Sequence, residues 1–266
     1  SSGTSGTGNS KIFLDKKTSE LQTKILSKIM QSILGKFRLP MIILEKKPTK
    51  FDRYKFNAKM AAIYGFSIFG KDHFYILNED NEIDYDNLNK FLHKHKREKI
   101  FLFGFTYQVY EILLVKLNTK KINRNFSNAI LLHGGGWKKM EDIKISNKNF
   151  QNQLRKKIKI DNVFNYYGMI EQTGTIFLEC NKCNCFKTSI YSDINIRDEN
   201  FNLLKNKQGL IQVLSLLPQS YPGHSILTED IGEIVSNKDC KFCNSNKRFI
   251  VHGRAPESEV RGCSDT

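Results

Sequence analysis

Leu21, Ile25, Ile29 and Ile33 recur at helical spacing and Leu34 widens their stripe, which predicts an amphipathic helix over residues 19–37. After Pro40 the period collapses into a short apolar run, Met41-Ile42-Ile43-Leu44, the pattern of a buried strand. Residues 60–77 interleave glycines with aromatics, and the stretch around Phe66-Ser67-Ile68-Phe69-Gly70 is apolar enough to line a pocket. An alternation then sets in. Residues 86–96 read as a helix with Leu88, Phe91 and Leu92 on one face, 99–105 as a strand with a turn at Gly104, and 107–117 as a second helix. Residues 128–132 read as a buried strand running straight into Gly134-Gly135-Gly136, followed by a helix over 150–157 and a short strand over 163–167. This rhythm predicts an α/β fold with a mostly parallel sheet and flanking helices. In such sheets ligands sit where a strand ends in a glycine-rich turn.

After about residue 175 the pattern changes. Residues 175–178, 210–214, 231–235 and 248–251 are strand-like and separated by turns, with no long helical stripe. The expected organisation is an α/β part over 1–175 and a smaller β-rich region over 176–266.

Composition narrows this picture. A chain of 266 residues with 39% hydrophobic content is long enough to bury a core. No apolar run reaches the roughly 18 residues of a spanning helix and no secretory pattern is present, so the expected location is the cytosol. The first residue is not Met and already lies in a motif, which reads as an N-terminal part missing. The net charge of +15 invites a nucleic-acid reading. Its lysines, however, are spread along the chain, and Asn and Ile are heavily used with them; a solvated basic surface is the simpler account, with no nucleic-acid partner.

Cysteines are clustered: Cys180-x-x-Cys183-x-Cys185, then Cys240-x-x-Cys243, with Cys263 apart. In a cytosolic chain two short-spaced groups separated by a longer loop point to structural zinc. Four of these five would surround one tetrahedral ion, Cys240 and Cys243 the firmest, leaving one surplus. The zinc would staple the β-rich region and take no part in chemistry.

The chain opens on Ser1-Ser2-Gly3-Thr4-Ser5-Gly6-Thr7-Gly8, with Lys11 behind it. Small and hydroxylated residues in a row cannot build a core. They can wrap backbone N–H groups and hydroxyls around a phosphate chain, with the lysine as a point charge. Later segments supply what a nucleotide-activating site still needs: Tyr167-Gly168-Met169-Ile170-Glu171-Gln172-Thr173-Gly174, Ser220-Tyr221-Pro222-Gly223-His224, Leu227-Thr228-Glu229-Asp230, and Gly253-Arg254 running on to Arg261-Gly262-Cys263.

In this order, these segments resemble the adenylate-forming enzymes, and among them the acyl-protein synthetases of the LuxE family, from the first residue to the last. The resemblance implies ATP-dependent activation of a carboxylic acid, a fatty acid first, as an acyl-adenylate, then thioester formation on a protein cysteine. It also implies roles. Ser2, Gly3, Thr4, Ser5, Gly6 and Lys11 would hold the ATP β- and γ-phosphates. Gly134, Gly135 and Gly136 would lie along adenine and the substrate carboxylate. Tyr167, followed by Gly168, would stack on adenine, and Glu171 would hold Mg²⁺ near the α-phosphate. Asp230 would accept from the ribose hydroxyls with Arg254 beside it, and Cys263 would receive the acyl group for a partner that accepts or reduces it. The chain stops before the mobile C-terminal domain of most adenylate-forming enzymes, which fits the narrower family. Competing readings are an acyl-CoA ligase of the phenylacetate-CoA ligase type, a zinc-ribbon module that binds nucleic acid, and a degenerate relative acting as a scaffold. Retention of Lys11 and Glu171 speaks against the last, and sparse arginine in the β-rich region against the module.

Overall fold

A computed structural model describes residues 12–48, 58–137, 145–235, 240, 243 and 247–255. The expectations for Ser2, Gly3, Thr4, Ser5, Gly6, Lys11 and Cys263 lie outside them. The described residues divide into two compact units, 30–165 and 12–29 with 166–255.

Helix α1 (Lys16–Leu34) begins three residues before the expected start. It opens on Asp15, whose carboxylate accepts from the Thr18 N–H at 2.7 Å and closes the first turn. In unit 30–165 the chain runs through β1 (Leu39–Lys46), α2 (Ala58–Ser67), β2 (Gly70–Leu77), α3 (Tyr85–Lys94) and β3 (Ile100–Phe105). Helix α4 (Thr106–Val109) continues as a π-helical segment over Tyr110–Lys116, and β4 (Ala129–Gly134), α5 (Asn147–Ile158) and β5 (Asn162–Tyr167) follow. Strand β1 pairs in parallel with β2 and β3, and β3 with β4. The sheet order is β2-β1-β3-β4-β5-β6, where β6 (Phe177–Leu178) pairs antiparallel with Tyr166 and Tyr167. The mostly parallel α/β architecture is therefore present as expected.

Continuous apolar runs form the central strands because both faces of the sheet are covered. Ile42, Leu44, Leu102 and Leu131 are buried on one face together with Leu88 and Leu92 of α3 and Phe150 and Leu154 of α5. At Gly104 a Cβ would stand 2.8 Å from the Leu44 Cβ, which explains a glycine inside a central strand. Asp84 and Ser146 cap α3 and α5 by accepting from the N–H groups of Asn87 and Asn149. Residues 60–77 resolve into α2 and β2. A cavity of about 490 Å³ is lined by Tyr64, Ser67, His73, Phe74, Tyr75, Leu77 and Lys47. Phe66 itself is core, its ring 4.7 Å from that of Phe103.

The β-rich part is one antiparallel sheet in the order β7-β11-β10-β9-β8. Its strands are β7 (Phe186–Lys187), β8 (Ser192–Arg197), β9 (Gly209–Ser215), β10 (Ser225–Ile234) and β11 (Arg248–Arg254). Phe177, Phe186, Ile194, Ile196, Ile211, Val213 and Phe249 form its core. Among the described residues no helix is long and apolar enough to cross a membrane.

Candidate functional site

Strand β5 ends on Tyr167, and the chain turns through Gly168 into a short 3-10 turn, Ile170–Gln172, that carries Glu171. Phe177, Phe186 and Phe249 surround the Tyr167 ring with centroids at 6.2, 6.0 and 6.0 Å. Its hydroxyl donates to Asp230 Oδ2 at 2.6 Å. Burial, with the charge of Asp230, pushes the phenol well above its ordinary pKa, so it keeps its proton and acts as a donor. Burial also raises the pKa of Asp230, against the Tyr167 hydrogen bond and the Arg254 charge, which lower it.

Asp230 and Arg254 face each other across the β10–β11 ladder. Arg254 Nη1 stands 3.2 Å from Glu229 Oε2, and its Nε stands 4.0 Å from Asp230 Oδ1. The Thr228 hydroxyl accepts from the Asp230 N–H at 3.2 Å and donates to the Ile211 carbonyl at 2.8 Å, which fixes the backbone under the carboxylate. Tyr167, Asp230 and Arg254, picked from distant segments of sequence, thus form one network.

The Glu171 turn is held by residues that the motif reading passed over. Gln172 is buried, and its amide donates to the carbonyls of Gly223 at 2.8 Å and Val213 at 3.2 Å. Gln22 of α1, also buried, donates to the Tyr221 hydroxyl at 3.0 Å. At Gly223 a Cβ would stand 2.8 Å from the Glu171 carbonyl oxygen, so glycine lets the 220–223 loop touch the turn. Gly174 takes φ +93°, and a Cβ there would lie 2.7 Å from the Gln22 Cα. Gln172, Gly174, Tyr221 and Gly223 had a local signal in their place inside two motif segments, and Gln22 had none.

Gly134, Gly135 and Gly136 belong to unit 30–165 and close β4. Gly135 and Gly136 hold φ +77° and +67°, and a Cβ on Gly135 would lie 2.7 Å from Phe105 Cδ1. The Thr106 hydroxyl donates to the Gly134 carbonyl at 3.1 Å and stands 3.0 Å from His133 Nδ1. With its only proton spent on the carbonyl, the hydroxyl accepts from His133, which places the imidazole proton on Nδ1. Burial alone depresses the His133 pKa to about 3, so the ring is neutral.

Cys180, Cys183, Cys240 and Cys243 place their sulfurs within 4.8 Å of one another. Zn–S bonds of about 2.3 Å put tetrahedral sulfurs roughly 3.8 Å apart. Here Cys180 and Cys240 stand at 3.9 Å and Cys183 and Cys243 at 3.2 Å, so the donor set fits one Zn²⁺. Cys185 does not belong to this group. It lies buried, its thiol donates to the Cys183 carbonyl at 3.3 Å, and burial pushes its pKa up to about 12. Of the five candidates it is the surplus one. Four thiolates around a dication leave two negative charges, and the buried Arg248 guanidinium beside Cys183 offsets one of them.

No curated protein matches the sequence. Solved structures do. The amide bond synthetase McbA from Marinactinospora thermotolerans matches at 12% identity and a TM-score of 0.54, over 88% of this chain and 44% of that one. Apo MatB from Rhodopseudomonas palustris matches at 15% and 0.58, over 95% and 47%. An open conformation of 2-hydroxyisobutyryl-CoA ligase in complex with 2-HIB-AMP and CoA matches at 12% and 0.64, over 89% and 53%. The chain thus spans about half the length of these structures, and the likeness establishes the adenylate-forming fold. The family described as acyl-protein synthetase, LuxE, matches residues 1–266. With a family match over its whole length and the α/β sheet in agreement, the chain belongs to the LuxE family of acyl-protein synthetases.

Proposed function

We propose that this protein is an AMP-forming acid–thiol ligase that activates a carboxylic acid, with a fatty acid as the first choice, and passes it to a protein cysteine. The reading rests above all on the Tyr167–Asp230–Arg254 network next to the Glu171 turn, in a chain of this family.

In this reading adenine stacks on the Tyr167 ring, and Gly134, Gly135 and Gly136 keep the role that the family resemblance implies for them. Gly168 lets the backbone pass close to the base, and Asp230 and Arg254 hold the sugar. Residues up to 175 then carry the acyl group, the glycine turn and Glu171, and residues 176–266 bring Asp230 and Arg254. A substrate carboxylate oxygen attacks the ATP α-phosphorus and pyrophosphate leaves. Two anions must meet, so donors aimed at the phosphates are worth more here than in water. Ser2, Gly3, Thr4, Ser5, Gly6 and Lys11 are the proposed donors. Glu171 would hold Mg²⁺, which supplies positive charge between the phosphates. A thiolate then attacks the acyl carbonyl and AMP departs, giving a thioester. Cys263 is the proposed acceptor, and Arg261 two residues before it would favour the thiolate. An acyl-accepting or acyl-reducing protein is the proposed partner, and the cytosol, where ATP is supplied, the proposed site of action. One observation favours coenzyme A as a second acceptor, namely the fold likeness to the 2-hydroxyisobutyryl-CoA ligase.

ATP–pyrophosphate exchange with a panel of fatty, aromatic and hydroxy acids, run beside Glu171→Ala, tests the adenylation. Acid-dependent exchange abolished by the substitution is the expected result. A folded, zinc-loaded protein that exchanges with no acid would overturn the reading. Labelled acyl group that remains on Cys263→Ser protein would remove the cysteine, and release onto coenzyme A would favour the second acceptor.

A further inference from the structure

We infer that the end of unit 30–165 where its parallel strands begin docks onto an anionic lipid membrane, with the Phe37 side chain entering the headgroup layer between flanking cations. The inference does not depend on the nucleotide-binding reading above.

Parallel pairing brings together the segments that lead into the strands. Leu39 of β1 lies in register with Gly70 of β2, and Met41 with Phe101 of β3. Residues 36–38, 68–69 and 96–99 therefore meet at one end of three adjacent strands. They supply Lys36, Arg38, Lys96, Arg97 and Lys99, all exposed and all without an ion-pair partner among the described residues. The acids at this end are already engaged: Asp72 holds Lys94 at 2.6 Å, and Glu98 holds Lys71 at 2.6 Å. Helices α1, α2 and α3 also end here, and cations are favoured at helix C-termini, which accounts for part of the charge. It does not account for Phe37, which stands 84% exposed between Lys36 and Arg38. Ile68, 38% exposed, adds apolar surface two residues before Gly70. An anionic bilayer satisfies both features. Each Lys or Arg near such a surface raises affinity roughly fivefold, and a Phe carried to the boundary of headgroups and acyl chains leaves water. Nucleic acid would use the charge but give the aliphatic Ile68 no role, and single strands stack their bases on successive aromatic rings. Among the described residues Phe37 is the one strongly exposed aromatic at this end. Phe201 offers a contrast: it is 63% exposed on the β8–β9 hairpin but follows Asp198 and Glu199, which an anionic surface repels.

Co-sedimentation of the full chain with phosphatidylcholine vesicles, with or without about 30% phosphatidylglycerol, tests this at low and high salt. Wild type should bind the anionic vesicles, bind the neutral ones at least about tenfold more weakly, and release the anionic ones as salt rises. Phe37→Ser should lose about tenfold in affinity, and Lys36→Gln with Arg38→Gln about tenfold or more. These side chains are exposed, so the variants should keep the wild-type far-UV circular dichroism. Phe201→Ser should bind within about twofold of wild type, because its surroundings are acidic. Equal losses in Phe37→Ser and Phe201→Ser would mean unspecific adhesion and overturn the inference, as would wild type that ignores anionic vesicles. Two other occupants of this end would also overturn it. One is a second copy of the chain, shown by a dimer in sedimentation velocity that Phe37→Ser makes monomeric while vesicles are ignored. The other is nucleic acid, shown by salt-sensitive binding of an RNA oligonucleotide that Lys36→Gln with Arg38→Gln weakens while vesicles are ignored.

Discussion

Replacing Gly174 by alanine should destabilise the protein by about 2–5 kcal/mol. Two effects add at this position. The residue holds φ +93°, where an L-residue costs roughly 1–2 kcal/mol. The new methyl would also stand 2.7 Å from the Cα, 2.8 Å from the Cβ and 2.8 Å from the carbonyl oxygen of Gln22. These are mainly backbone atoms of α1, so no rotamer change relieves the clash and overpacking adds about 1–3 kcal/mol. Gln22 cannot easily retreat, because its amide holds the Tyr221 hydroxyl at 3.0 Å. Other glycines separate the two effects. Gly35 has φ +81° with no atom within 4 Å of its Cβ position, so Gly35→Ala should show the strain alone, about 1–2 kcal/mol. Gly65 lies inside α2 with equally open space and no unusual φ, so Gly65→Ala should stabilise by about 0.5–1 kcal/mol. Guanidinium unfolding followed by far-UV circular dichroism gives the differences. If Gly174→Ala costs no more than Gly35→Ala, the close approach of α1 to the Glu171 turn contributes nothing and its role as a support falls.

Further expectations are as follows. The purified protein should carry about one zinc per chain by elemental analysis; Cys243→Ser should lose it and Cys185→Ser keep it, and the reverse would refute the assignment of the four ligands. His133, held at about 3 in the fold against 6.5 when unfolded, takes up a proton only on unfolding between those values. Its contribution is therefore intact above pH 6.5 and falls with pH by about 1.4 kcal/mol per unit down to about pH 3. Denaturation at pH 4, 5 and 6 should show a slope shallower by about that amount in His133→Leu, and equal slopes would contradict a buried neutral ring. Phe150→Ala should cost about 3–5 kcal/mol in the same assay, because the ring is buried between His133 and Trp137; a loss below about 1 kcal/mol would show that the α5 face is loosely packed.

What could be read from the sequence follows physical rules. The strands β1, β3 and β4 were visible because burial on both faces leaves an unbroken apolar run, and α1 because only one stripe of it is buried. Strand β2 was missed since it begins Gly70-Lys71-Asp72-His73, where Lys71, Asp72 and His73 are exposed. Strand β8 does alternate, with Ser192, Ile194 and Ile196 buried, but its other residues, Asp193, Asn195 and Arg197, are polar and its buried series starts on a serine. Strand β10 runs back to Ser225 and includes Thr228, Glu229 and Asp230, a polar stretch that was noticed for its chemistry and not for its conformation.

The candidate site divides in the same way. Tyr167, Asp230 and Arg254 were singled out through the family resemblance, because the residue type proposed to touch a nucleotide is narrow and leaves a mark at a single position. Their supports carry no such mark. Gln172 serves as a donor to backbone carbonyls, a task that any residue with a suitably long amide or hydroxyl arm can attempt. Gln22 acts on Tyr221 from 199 residues away. Cys183 and Cys185 show why spacing alone falls short: either could follow Cys180 as a ligand by sequence. The choice is made where Cys185 leads into Phe186 of β7, whose ring joins the Phe177 and Phe249 core. That strand buries Cys185 and turns its thiol onto the Cys183 carbonyl, leaving the Cys183 sulfur to face Cys243. The packing of an aromatic core under Tyr167 and the selection of metal ligands are thus decided by the same two-residue strand, which is why neither was legible from the cysteine pattern alone.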